Sequence, residues 1–176
     1  MIIRKTTDAD ITALDALFAE ARATIAALGI DQWQNGYPTP AIIAEDLSHN
    51  RSYVIEIDGK IAGTFVLVTD GEPDYDCIFD GAWRTGDGRD YVAIHRVAIS
   101  VARRGSGLSS AIINYAAEVA RDLGRASLRI DTHRGNVVMR RMLERHGFVL
   151  CGSIYLQSGD HRVAYEKIIN EKESSL

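Results

Sequence analysis

The chain has 176 residues, 24 acidic against 20 basic, a net charge of −4 and 46% hydrophobic content. That balance suits one globular domain able to bury a core without staples, and it argues against a general nucleic-acid binder, which would show a basic face. Cys77 and Cys151 are too few and too far apart for a disulfide framework, and no apolar run approaches the roughly 20 residues of a membrane span, so a reducing, cytoplasmic home with no leader segment is expected.

Ile2–Arg4 reads as a first strand. Thr7 or Asp8 can cap a helix whose apolar stripe is Ile11, Leu14, Leu17, Phe18, Ala21, Ile25 and Leu28, with Gly29 at its end. An aromatic loop, Asp31-Gln32-Trp33-Gln34-Asn35-Gly36-Tyr37-Pro38, comes next; Thr39-Pro40 then opens a short helix to about Leu47. Tyr53–Ile57 and Ile61–Val68 alternate as strands about Asp58-Gly59, a strong hairpin signal. The long segment Thr69–Asp90 is acidic, with Asp70, Glu72, Asp74, Asp76, Asp80, Asp87 and Asp90 against Arg84 and Arg89; it can gather cationic partners or act as a lid, and Phe79 and Trp83 inside it suggest partial packing. Strands over Tyr91–Ile99 and Ser127–Thr132 flank a helix over Ser106–Leu123. A helix over Val137–His146 stops at Gly147, and Phe148–Leu156 with Arg162–Ile168 form a last hairpin around Ser158-Gly159. The order implies an α/β fold: a mixed sheet with helices on both faces, one domain over residues 1–170, and a charged tail over 171–176.

The most informative run is Val97-Ala98-Ile99-Ser100-Val101-Ala102-Arg103-Arg104-Gly105-Ser106-Gly107-Leu108-Ser109. A strand feeds a glycine-bearing turn into a helix start, where unpaired N–H groups and the helix dipole favour a phosphate or pyrophosphate. Glycine there lets ligand oxygens approach the backbone without a Cβ in the way. The run is neither a G-x-G-x-x-G dinucleotide fingerprint, since Ser110 stands at the third glycine, nor a G-x-x-x-x-G-K-[ST] loop.

It does fit R-x-x-G-x-[G/A] through Arg104, Gly107 and Ser109, the last a small departure, and so resembles the coenzyme A pyrophosphate loop of the GNAT superfamily of N-acetyltransferases. A second segment, Asn136-Val137-Val138-Met139-Arg140-Arg141-Met142-Leu143-Glu144-Arg145-His146-Gly147-Phe148, is similar to the family's N-x-x-A-x-x-L-Y-E-K-x-G-F. The element order also resembles the GNAT fold over nearly the whole chain.

The resemblance implies acetyl-CoA as donor. It places the pyrophosphate on the amides of Arg104, Gly105, Ser106, Gly107, Leu108 and Ser109, the pantetheine amides on the backbone of Val97, Ala98 and Ile99, and Asn136 facing the pantetheine. The family often supplies a tyrosine as general acid where this chain has Leu143. Residues suited to taking the amine proton are His95 and Asp131, while Trp33, Tyr37 and His133 are candidates for the acceptor side; Tyr91, Ala93, His95, Val97 and Ile99 share one strand face if no bulge intervenes. A metal site from His95, Asp131 and His133 is possible by ligand type, but no spacing demands it and none is expected. The two cysteines have no positive partner in sequence and direct transfer needs no covalent step. The expected reaction is direct acetyl transfer to a primary amine of a small molecule or amino acid, without nucleic acid or membrane, with a homodimer compatible. The alternatives are an acyl-CoA sensor without turnover and a transferase of another acyl group.

Overall fold

Residues 1–169 are described by the structure, a computed structural model; the tail expected over residues 171–176 lies outside them. In chain order the elements are β1 (Ile2–Lys5), α1 (Ile11–Ala26), α2 (Pro40–Ser48), β2 (Ser52–Ile57), β3 (Lys60–Val68), β4 (Tyr91–Ile99), α3 (Leu108–Asp122), β5 (Ser127–Thr132), α4 (Val137–Arg145), β6 (Val149–Tyr155) and β7 (His161–Ile168), with short 3₁₀ turns at Asp8–Asp10, Pro73–Tyr75 and Val101–Arg103. The strands form a mixed seven-stranded sheet in the hydrogen-bonded order β1-β2-β3-β4-β5-β7-β6. The β4/β5 pair is parallel; β1/β2, β2/β3, β5/β7 and β6/β7 are antiparallel.

Two compact units divide the chain: Met1–Leu67 with Ile94–Ile112, and Val68–Ala93 with the chain from Ile113 onward. In the first, the apolar stripe of α1 buries Leu14, Leu17 and Phe18 in one cluster with Ile43 of α2, Val54 of β2 and Ala98 of β4. Before α1, the Asp10 carboxylate accepts from the backbone N–H of Thr7 at 2.8 Å and from both terminal nitrogens of Arg4 at 2.8 and 2.9 Å. Those hydrogen bonds hold its carboxyl down at about 2. Gly29 ends the helical stretch at φ +72°, and Asp58-Gly59 turns β2 into β3 with both residues at positive φ, as a two-residue primed turn requires.

In the second unit, β7 pairs on one side with β5 and on the other with β6. Cys151 bulges where the β6/β7 register slips between Leu150 and Gly152. The Thr69–Asp90 segment is packed rather than loose. Tyr75 and Trp83 are buried, the Trp83 indole N–H donates to the Tyr75 carbonyl at 3.0 Å, and Phe79 exchanges both backbone hydrogen bonds with Ser153 of β6 at 2.8 Å. The approach is close: a Cβ on Gly81 would meet the Cys151 carbonyl oxygen at 1.9 Å. Phe79 itself stays about half exposed, edge-on to Tyr155.

Candidate active site

In the first unit, β4 delivers Val97–Ile99 into a turn anchored on α1 and β3. The Ser100 N–H donates to the Ala62 carbonyl at 2.9 Å, the Val101 N–H to the Glu20 carboxylate at 3.0 Å, and the Arg104 guanidinium to the Thr24 hydroxyl at 2.6 Å. Within the turn, the N–H groups of Arg104 and Ser106 make long bonds of 3.3 Å to the carbonyls of Val101 and Arg103. Gly105 and Gly107 sit at φ +76° and +83°. A Cβ at either would meet nothing within 4 Å, so the glycines are required here by left-handed backbone and not by crowding. At the start of α3 the Ala111 N–H donates to the Gly107 carbonyl at 3.1 Å. The amides of Leu108 and Ser110 precede it, in the first turn of α3, where the helix dipole is positive. That donor set fits a diphosphate.

The face reading of β4 needs correction. Arg96 adopts φ +51°, which breaks the two-residue alternation, so His95 does not share one uninterrupted face with Val97 and Ile99. His95 is partly buried just before the break. The Arg96 side chain, 11% exposed, is clamped. Its Nη2 donates to Asp46 Oδ1 at 2.7 Å, its Nε lies 2.6 Å from Asp46 Oδ2, and its Nη1 donates to the Tyr37 hydroxyl oxygen at 2.5 Å. Asp46, 3% exposed, also accepts from Arg51 Nε at 2.9 Å. Tyr37 stands 5.9 Å from the Trp33 ring, and Trp33 packs edge-on against Phe18 at 6.0 Å. Trp33 and Tyr37 are thus brought together, and the Arg96 guanidinium carbon lies 6.0 Å from the Tyr37 ring centre.

The second unit carries the remaining candidates. Asp131 accepts from the Tyr75 hydroxyl at 2.7 Å and lies 4.0 Å from Arg162 Nε. Burial, then the Asp131 charge, pushes the Tyr75 phenol well above its usual range, so it stays a donor. His133 accepts the Gly135 N–H on Nδ1 at 3.0 Å, which leaves the proton of a neutral ring on Nε2. Asn136 caps α4, accepting from the Met139 N–H at 3.2 Å. Leu143 is fully buried. Cys77 and Cys151 are free thiols, and burial pushes the Cys151 thiol up, away from a reactive thiolate. Among the described residues no group of three His, Cys, Asp or Glu side chains is placed to hold a metal ion, and no helix is long and apolar enough to cross a membrane.

Arg96, Asp46 and Tyr75 were not singled out from sequence. The available signals were a charge inside an apolar strand for Arg96 and one among Ile42, Ile43 and Leu47 on α2 for Asp46.

Known proteins agree with this architecture. The model of the acetyltransferase (GNAT) family matches residues 18–148, well over half of the chain. A GNAT-family acetyltransferase crystal structure from Streptococcus agalactiae is similar at 34% identity and TM-score 0.86, over 97% of this chain and 96% of that one. The fold is shared with a GNAT-family acetyltransferase from Listeria monocytogenes (19% identity, TM-score 0.71, 95% and 94% covered) and a ribosomal-protein-alanine N-acetyltransferase from Brucella melitensis (19%, 0.62, 96% and 99%). No curated protein matches. The chain belongs to the GNAT acetyltransferase family. Its activity class is acetyl transfer, and acetyl-CoA is the donor typical of that family.

Proposed function

We propose that this chain acetylates the primary amine of a small molecule or amino acid by direct attack in a ternary complex in the cytoplasm, with acetyl-CoA as donor. The observation that supports the reading is the start of α3, where two left-handed glycines lead into the first helical turn on a loop braced by Glu20 and Thr24, an arrangement suited to an anion. The Arg104–Ser109 loop would hold the diphosphate, the backbone of Val97, Ala98 and Ile99 the pantetheine amides, and Asn136 would face the pantetheine. Bound acetyl-CoA supplies an activated acetyl thioester.

The chain's own residues must then deliver a neutral amine. For a lysine-like amine that costs about 4–5 kcal/mol at pH 7, so a proton acceptor matters. His95 or Asp131 would take that proton, and the Tyr75 hydroxyl already donating to Asp131 favours His95. Trp33, Tyr37 and His133 shape the acceptor side. One observation favours a second reading, a sensor that binds the thioester without turnover: the family's tyrosine position is held by fully buried Leu143.

Thiol release from acetyl-CoA is followed with a panel of amino acids, polyamines and aromatic amines, alongside calorimetry of coenzyme A on the wild type and Gly107→Val. Turnover with at least one amine, and affinity weakened about tenfold or more by Gly107→Val, are expected. Binding without turnover on any amine favours the sensor; affinity untouched by Gly107→Val removes the α3 cradle as the donor site.

A further inference from the structure

A tryptophan and an arginine hold left-handed backbone in the first unit, Trp33 at φ +64° and Arg96 at φ +51°. Asn and Asp tolerate that region; an aromatic residue and an arginine inside a strand adopt it only where their surroundings enforce it. The enforcing contacts form one chain. Phe18, in the core cluster, packs on Trp33; Trp33 packs on Tyr37; the Tyr37 hydroxyl accepts from Arg96; Arg96 ion-pairs with Asp46, which also holds Arg51. Arg22 adds a bond of 3.4 Å to the Tyr37 carbonyl. The aromatic loop is therefore tied at one end to the hydrophobic core and at the other to the strained residue of β4.

We propose that Arg96 is a positioning residue for the acceptor. Its guanidinium fixes the Tyr37 hydroxyl, and Tyr37 with Trp33 fixes the wall that the amine meets, so Arg96 governs capture of the acceptor and not grip on the donor. This rests on the reading that residues 32–38 line the acceptor side. Three features support the division of labour. The anion cradle is braced separately, through Glu20 and Thr24 on α1. The Arg96 charge is compensated by Asp46, so it serves as a strut and not as a free anion site. Nη2 donates to the carboxylate while Nη1 donates to one phenol oxygen, a planar pair of donors that lysine cannot reproduce.

The test compares wild type, Arg96→Gly, Arg96→Lys, Tyr37→Phe and the Arg96→Gly/Tyr37→Phe double variant. Glycine is informative because it keeps the φ of residue 96 and removes only the side chain. Hydrogen exchange of residues 32–38 is read in each, with coenzyme A affinity by calorimetry and steady-state kinetics on the amine turned over best in the panel above. Arg96→Gly and Tyr37→Phe are each expected to speed exchange in residues 32–38 about fivefold or more and to raise the amine KM about tenfold, with kcat and coenzyme A affinity within about threefold of wild type. The double variant is expected to match Arg96→Gly within about twofold, since both changes cut one link, and Arg96→Lys to restore little. Unchanged exchange in Arg96→Gly, multiplying effects in the double variant, or coenzyme A affinity falling in step with amine capture would each overturn the proposal. A wild type that neither binds coenzyme A nor consumes acetyl-CoA would instead overturn the functional reading, and the exchange data would still decide whether the strut exists.

Discussion

The two least exposed carboxylates, Asp46 and Glu166, lie one in each unit and are satisfied in different ways. Glu166 in β7 is fully buried. Arg129 Nε meets it at 2.9 Å, the hydroxyls of Thr85 and Ser127 at 2.6 and 2.7 Å, and the backbone N–H groups of Arg84 and Thr85 at 2.5 and 3.2 Å. Arg129 is itself sandwiched between the rings of Trp83 and Tyr91, at 4.2 and 4.1 Å. Burial pushes the Glu166 carboxyl up, but the bonds from Thr85, Ser127 and Arg129 together pull it below the usual range. Asp46 in α2 is instead shared by two guanidiniums, of which Arg51 keeps 23% of its side chain exposed. A carboxylate paired with one buried guanidinium and also bonded by Arg84 and Thr85 is a staple for the segment those two residues belong to. One that gathers two cations, one strained and one partly exposed, is a junction whose loss leaves surplus positive charge beside Tyr37. The first serves stability and the second serves shape.

The largest effect expected from this contrast is on Glu166→Gln. It leaves Arg129 buried without its counter-charge and should cost about 3–5 kcal/mol in denaturant titration; a loss under about 1 kcal/mol would erase the distinction. Gly81→Ala, which drives a Cβ into the Cys151 carbonyl, should cost about 1–3 kcal/mol by the same measurement, because the stapled segment must lift off β6. Asp46→Asn should fall toward the lower end of about 1–3 kcal/mol, since Arg51 can turn to water, while weakening acceptor capture more than Glu166→Gln does at temperatures where both are folded. Asn136→Ala should remove about 1 kcal/mol with the α4 cap, whereas Asn136→Asp keeps the capping oxygen; if Asn136→Asp lowers coenzyme A affinity with stability intact, its amide group meets the donor directly.

Acid sharpens the contrast further. Glu166 lies below its unfolded value of 4.5 in the native state, so its contribution is complete above that pH and is lost as pH falls through the lower native value. Asp10, at about 2 against 3.8 unfolded, loses its share between those two values. Stability measured from pH 5 downward should therefore fall less steeply in Glu166→Gln than in wild type.

The strand spans of β4 and β5 were legible to the residue, because apolar runs with β-branched residues lie between Asp90 and Ser100 and between Gly124 and Gly135. The donor loop was legible because its whole logic is local: strand, arginine, glycines, helix start. The clamp on Tyr37 was not, since Asp46 and Arg96 are fifty positions apart and no periodicity relates them. The break at Arg96 was equally hidden, because a positive φ at a residue other than glycine is imposed by tertiary contacts. The same holds for Arg129 and Glu166, whose pairing across β5 and β7 no local pattern announces and which are among the least exposed side chains of the described residues.

β6 ends the strand order, and a terminal strand ordinarily offers its unpaired backbone to any extended chain that comes by. Here Phe79 and Ala82 already occupy those groups at Ser153 and Cys151, helped by the lack of side chains at Gly81 and Gly152. Along that stretch the protein carries its own blocking ribbon, so a foreign strand cannot dock there and grow the sheet without first peeling the ribbon away.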